Sequence, residues 1–431
     1  MFKFNFDIEE ADTEALNNLS LDEKPNADQK DQPASPEQAT LAAYRSHTVA
    51  ELIDKLPEVV SYTPTEIPLA SGRRLTLARR DLFDARYQLI AEADVSLPNE
   101  VPSGGTSAAD ATPVDPTRTP AFLDAPSDLV PGLYEGGLKT WECSLDLVDY
   151  LDGLTPASEG TSAGAAGICN WAGKRVLEIG CGTAIPSLYL LHEILQDERK
   201  PSDVPHTKIT LQDYNASVLE LITLPNLLIA WCKPVISLAV LIELPVSPPP
   251  ADEATATKPD PTISGDIHIT PTLKAAFLST LAERNIEIEL VSGSWGNILR
   301  ERFQDSAADS TYDLVLTSET IYRTESLNAL IGIMRAACLA SAQAASTESQ
   351  STVACSSPID PAAGSSSAPA RDISLGGKSL CLVAAKVLYF GVGGGVPDFV
   401  RAVEEGVLGH VETVLERTKG VGRKVLRVEW K

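Results

Sequence analysis

Residues 174–186 read KRVLEIGCGTAIP. Val176, Leu177 and Ile179 form a β-favouring apolar run, after which Gly180 and Gly182 allow backbone angles and close approaches that a Cβ would block. Residues 185–195 (IPSLYLLHEIL) resume with apolar side chains at helical spacing. Strand, glycine turn and helix is the arrangement by which an α/β sheet turns backbone N–H groups towards a ligand. The dinucleotide fingerprint would need glycine where Ile185 stands, and no Lys-Ser or Lys-Thr follows the glycines as a phosphate loop requires. What remains is E-x-G-x-G with Glu178 closing the strand; a purely structural glycine turn is the competing reading of this stretch alone.

Outward from the turn, apolar strand candidates at 175–179, 208–212, 286–291, 312–317 and 379–385 are separated by segments long enough for helices. That spacing predicts an α/β fold, a parallel sheet with crossover helices. VETVLERT (411–418) and KVLRVEW (424–430) lie a hairpin's length apart and predict a closing antiparallel pair. Residues 1–45 are acidic and poor in aromatic side chains beyond the opening FKFNF, and are expected to be disordered. Residues 46–127 read as an extension, with helix-like VAELIDKL and RRDLFDARYQLIAEA among proline breaks, followed by a Pro/Gly/Ser-rich linker. The main domain then spans 128–431, interrupted by low-complexity inserts near 245–265 and 341–375 that are expected as disordered surface loops.

The chain has 431 residues and is 43% hydrophobic, enough for a sizeable core. A net charge of −24 disfavours a phosphate-backbone partner and suits a basic protein substrate. The seven cysteines are scattered, with no C-x-x-C pair and no histidines at zinc spacing, so we expect no metal and reduced thiols in the cytoplasm and nucleus. The opening MFKFNFDIEEADTE turns acidic where a signal peptide would be apolar, and VISLAVLIELPV (235–246) is too short to span a bilayer, so no membrane association is expected.

QDYN places Asp213 at the end of the second strand, beside the glycine turn. A carboxylate there suits ribose hydroxyls, while a helix N-cap is the competing role. Joined to the E-x-G-x-G turn, the ribose reading is favoured.

The stretches YEGGLKTWECS (134–144), VLEIGCG (176–182), LQDYN (211–215), TLPN (223–226), GSWG (293–296), YDLVLTSETIY (312–322) and KVLYFGVGGG (386–395) together resemble the histidine protein methyltransferases. The resemblance covers roughly residues 129–430, and departs at Ala184 and at the two inserts. It implies a seven-stranded Rossmann-like sheet, S-adenosylmethionine as cofactor, and a histidine of a large-subunit ribosomal protein as acceptor, with the enzyme a monomer that does not bind nucleic acid directly. It further implies that Gly180, Cys181 and Gly182 lie at the methionine part of the cofactor and Asp213 with Asn215 at its ribose, with Glu178 and Tyr214 also among the cofactor-binding residues. Trp295 would flank the adenine, Trp141 and Glu142 would cover the cofactor, and Ser294 and Ser318 would be further cofactor-binding residues. For the two tryptophans a place in the core is the competing role.

Glu319 and Tyr322, an E-x-x-Y after the fourth strand, stand where this superfamily faces its substrate. Glu319 is expected to orient the acceptor, or alternatively to cap the next helix, and Tyr322 to shape the pocket. The D/N/S-P-P-Y/F motif of nucleic-acid amino-methylating enzymes is absent from TSETIY. Lys386, Tyr389, Gly391 and Gly393–Gly395 are expected to form a flexible lip, or a plain glycine turn, while His192, His206, His268 and His410 are expected to be surface or structural residues. Lysine methylation on the same fold, and a non-catalytic ribosome-assembly adaptor, remain the alternatives.

Overall fold

The computed structural model describes residues 42–85, 88, 136–154, 171–196, 199, 204–235, 263–304, 311–348, 379–389 and 393–431. In chain order, strand β1 (Arg45–Thr48) leads into helix α1 (Val49–Ile53), followed by strands β2 (Val59–Pro68) and β3 (Arg74–Arg80). Helix α2 (Glu142–Leu154) precedes β4 (Arg175–Ile179), α3 (Ile185–Leu195) and β5 (Thr207–Asp213). A short turn and the π-helical stretch Leu219–Thr223 run into α4 (Leu224–Val235), after which come β6 (Gly265–His268), α5 (Pro271–Glu283), β7 (Ile286–Ser292) and α6 (Trp295–Ile298). The chain closes with β8 (Leu314–Ser318), α7 (Thr324–Glu348), β9 (Leu380–Lys386), α8 (Val396–Glu404), β10 (Gly409–Arg417) and β11 (Arg423–Trp430).

The main sheet has the order β1-β7-β5-β4-β8-β9-β11-β10. β7, β5, β4, β8 and β9 are parallel neighbours, and β11 and β10 close one edge antiparallel. These are the seven strands expected from the sequence, each within two residues of its expected ends. They read clearly because both faces are covered: every residue of β5 is buried, as a parallel strand between two helical layers requires. One face packs Val176, Ile209 and Leu316 against Leu188 and Leu228, and the other packs Leu177, Ile179 and Val315 against Leu330, Met334 and Phe399.

An eighth strand extends the expected sheet. β1 pairs antiparallel with β7, Arg45 opposite Ser292 and Thr48 opposite Glu289. His47 Nε2 lies 2.8 Å from Ser292 Oγ, and burial lowers the pKa of this imidazole.

The extension holds strands besides its expected helical stretches, of which residues 82–85 in RRDLFDARYQLIAEA form a helical turn. VAELIDKL supplies only the short α1, begun by a capping box between Thr48 and Glu51. RLTLARR is a strand, because Leu75 and Leu77 alternate with polar neighbours and are buried, and RRDLFDARYQLIAEA begins at its last two residues, with its end outside the described residues. β3, β2 and β6 form a second, antiparallel sheet whose Val60, Ile67, Leu75 and Leu77 join the core under α2, α3 and α4. β6 reaches β2 only at Val59–Tyr62, so Pro64 and Pro68 fall where β2 has a single neighbour and a missing N–H is tolerated.

Residues 1–41 and 86–135, Gln88 excepted, lie outside the described residues, as does most of each expected insert; β6 begins at Gly265 and α7 runs on to Glu348. Among the described residues no helix is long and apolar enough to cross a membrane.

Candidate active site

The carboxyl ends of β7, β5, β4, β8 and β9 open into a cavity of about 350 Å³, within the range of small-molecule sites. The turn after β4 forms its floor. Gly180 and Gly182 take φ 63° and 50°, and a Cβ on Gly180 would stand 2.6 Å from Thr320 Cγ2. The N-cap of α3, Ala184, also has positive φ, 56°, a conformation that glycine adopts without strain; this is the point at which the sequence departs from its family resemblance.

Glu178, Gly180, Cys181, Gly182, Asp213 and Tyr214 all line the cavity. The carboxylate of Asp213 accepts the Gly182 N–H at 3.0 Å and the Asn215 N–H at 3.1 Å, one on each oxygen. A carboxylate oxygen can accept more than one donor, which suits it to a ribose diol. Glu178 Oε2 accepts the Ser187 N–H at 3.0 Å and the Ser187 hydroxyl, and burial raises the carboxyl to about 7. Burial likewise pushes the Cys181 thiol up, so it lines the site as a neutral group.

Ser294 and Trp295 line the cavity from the end of β7. The indole N–H of Trp295 donates to Gln212 Oε1 at 3.0 Å, so its polar edge is satisfied within the protein. Gln212 also accepts the Gly180 N–H at 3.1 Å and donates to Gly293 O at 3.2 Å, joining three strand ends. Gln212, adjacent to Asp213 in QDYN, is a further residue of the site beyond those the motifs predict.

Trp141 lines the cavity and is 39% exposed, as part of a strap that includes Gly136 and Gly137, which also line it. The strap is pinned by Thr140 Oγ1 to Thr183 Oγ1 at 3.1 Å. Two expected cofactor residues fall elsewhere. Glu142 starts α2 on the exposed side, because one residue along a helix turns the side chain away from that of Trp141. Asn215 is buried off the cavity, its amide reaching Gly136 O at 3.5 Å, and it holds the strap where contact with ribose was expected.

Ser318, Glu319 and Tyr322 line the remaining end, after β8. Glu319 has φ 59°, an uncommon conformation for a side chain of this size. Its Oε1 and the Ser318 hydroxyl oxygen are buried without a hydrogen-bond partner. Two orphaned polar atoms at one wall of a cavity mark a place for a ligand. Lys386 stands 3.7 Å from Glu319 Oε1, and the Tyr322 and Tyr389 rings meet at 6.2 Å. Burial and then the charge of Glu319 raise the pKa values of Cys143 and Tyr389.

Within the expected lip, Gly394 packs on Tyr322. The Gly394 N–H donates to Tyr322 O at 3.0 Å, and a Cβ on Gly394 would lie 2.5 Å from the Tyr322 backbone, while Gly391 lies outside the described residues. His192, His206, His268 and His410 do not line the cavity, and the described residues contain no cluster of three or more metal-ligating side chains.

These residues fit S-adenosylmethionine. A glycine turn and the Glu178 carboxyl would take its methionine part, Asp213 its ribose, and Ser294 with Trp295 its adenine, leaving Ser318, Glu319 and Tyr322 for an acceptor.

No family model matches the chain. Histidine protein methyltransferase 1 of Saccharomyces cerevisiae is 32% identical over 363 residues, covering 83% of this chain and 77% of that protein. The protein of the same name in Schizosaccharomyces pombe is 28% identical and covers 89% and 84%, and a Bos taurus homolog is 27% identical and covers 71% and 58%. Among solved structures, a SAM dependent methyltransferase from Aquifex aeolicus covers 61% of this chain and 85% of its own at 14% identity, with a TM-score of 0.26 that carries no argument. On the extent and identity of the yeast match, the chain belongs to the histidine protein methyltransferase family.

Proposed function

We propose that this protein transfers a methyl group from S-adenosylmethionine to a ring nitrogen of a histidine in a large-subunit ribosomal protein. The observation that carries the reading is the Oε1 of Glu319, buried without a hydrogen-bond partner in the same cavity as the glycine turn and Asp213. The cofactor supplies an electrophilic methyl group on a sulfonium. What the protein must add is position and the exclusion of water.

An imidazole has an ordinary pKa of ~6.5, so near neutral pH most of it is already the nucleophilic neutral form. Glu319 Oε1 accepts the N–H of the far ring nitrogen, holds the tautomer that presents the other nitrogen, and offsets the positive charge that develops on the ring. Tyr322 bounds the acceptor's place. A basic ribosomal protein suits the overall charge of −24, most of which is carried outside the described residues, since those are close to balanced. We place the enzyme, acting as a monomer, in the cytoplasm and nucleus.

Incubation with methyl-labelled cofactor and purified large-subunit ribosomal proteins, followed by hydrolysis and mass spectrometry, tests the reading. Label in methylhistidine of one ribosomal protein is expected. Label in methyl-lysine, or none in protein, would overturn it.

A further inference from the structure

The acceptor end of the cavity already holds a cation. Lys386 Nζ stands 3.7 Å from Glu319 Oε1, 4.4 Å from the centroid of the Trp141 ring and 5.9 Å from that of Tyr389. Both charged side chains are withdrawn from water, Lys386 being 17% and Glu319 8% exposed. A carboxylate bordered by aromatic rings attracts an ammonium. Here the last residue of β9 supplies it from within the chain. At 3.7 Å the pair is an ion pair without a hydrogen bond, and Oε1 remains free to accept one.

We propose that Lys386 is a specificity-determining residue, which excludes a lysine side chain as acceptor and leaves the site to a neutral imidazole. The inference rests on the reading of Glu319 as the group that faces the acceptor. A substrate lysine would bring a second ammonium close to Lys386, where the charged side chains are largely withdrawn from solvent and like charges are weakly screened. A histidine near neutral pH arrives without charge, so its binding meets no such repulsion. Selectivity then comes from repelling the wrong acceptor as much as from holding the right one.

n-Butylammonium chloride, standing for a lysine side chain, tests this on the full chain, with sodium chloride at equal ionic strength as control. Lys386→Met leaves Glu319 and the aromatic rings facing the gap. Its Tm should rise with the amine, and calorimetry should show binding at least ten-fold tighter than to the wild-type protein. Lys386→Arg keeps the charge and should behave as wild type, while adding Glu319→Gln to Lys386→Met should abolish the response.

If Lys386→Met unfolds on purification, the same amine should restore its folding by replacing the missing cation. Equal responses of wild type and Lys386→Met, an undiminished response of the double variant, or an unfolded variant that the amine does not rescue would overturn the proposal. In the methylation assay, Lys386→Met should raise the ratio of methyl-lysine to methylhistidine at least ten-fold. A wild-type protein that makes no methylhistidine would sink the proposed function, and the amine titration would still decide the role of Lys386.

Discussion

Gly182 and Gly137 meet backbone to backbone: a Cβ on Gly182 would lie 3.1 Å from Gly137 O and 3.2 Å from its Cα. The glycine turn is thus clasped by the strap that carries Trp141, and a side chain at Gly182 would push on that strap.

Gly182→Ala should therefore lower cofactor affinity about ten-fold or more while the protein stays folded. Positive φ costs an alanine ~1–2 kcal/mol, and displacement of the strap adds to this. Gly72→Ala is the control, since Gly72 has φ 77° with nothing within 4 Å of its Cβ, so it bears the strain without the clash. Calorimetry with S-adenosylmethionine that gave equal affinities for Gly182→Ala and Gly72→Ala would refute the clasp.

Glu178 should tilt stability against pH. Burial raises its carboxyl from 4.5 to about 7 against the opposing hydrogen bonds of Ser187. Its contribution is fully present below pH 4.5 and is lost as pH rises through about 7, because the folded state keeps a proton that the unfolded chain has released. The lost stability is roughly 3 kcal/mol at ~1.4 kcal/mol per unit. Urea unfolding at several pH values should show wild type losing stability relative to Glu178→Gln across this window. His47, lowered by burial, works in the opposite direction but cancels in the difference. Parallel curves would show that the proton is absent.

Trp295→Ala should weaken cofactor binding by about 1–3 kcal/mol, the usual worth of an aromatic ring against a base. Transfer at saturating cofactor should change little, and Trp295→Phe should recover most of the affinity. A loss confined to the transfer rate would move Trp295 from the adenine to the acceptor.

Two truncations separate charge from structure. Ala42 O accepts the Ser294 N–H at 3.0 Å and the Asn297 side-chain amide at 2.8 Å. Removing residues 1–40 leaves these bonds in place and should preserve cofactor affinity, slowing transfer to a basic substrate only at low salt. Removing 1–48 also takes β1 away from β7 and should weaken cofactor binding about ten-fold, at ~1 kcal/mol per hydrogen bond. Equal affinities of the two truncated proteins would show that β1 is dispensable to the site.

Glu319→Gln should lower single-turnover transfer by roughly 10²-fold, since the amide still accepts a hydrogen bond but brings no charge to the developing imidazolium. For an imidazole acceptor the wild-type rate should level off by about pH 8, and the variant should level off at lower pH. A rate still climbing at pH 9 would point to an amine acceptor instead.

The sequence by itself determined the parallel sheet, the glycine turn and the carboxylate beside it, because these are local. β-Favouring runs, helical spacing and the absence of Cβ atoms at Gly180 and Gly182 act within a few residues of one another. Only the tertiary structure decided which neighbours of the motifs face the ligand. Trp141 lines the cavity and Glu142 does not, and Asn215 serves the strap while Gln212 ties strand ends together. The pairing of Tyr62 with Gly265, the bond from His47 to Ser292 and the ion pair from Lys386 to Glu319 join residues far apart in the chain. Their partners are chosen by packing, charge and the closure of the sheet, which no stretch of sequence carries alone.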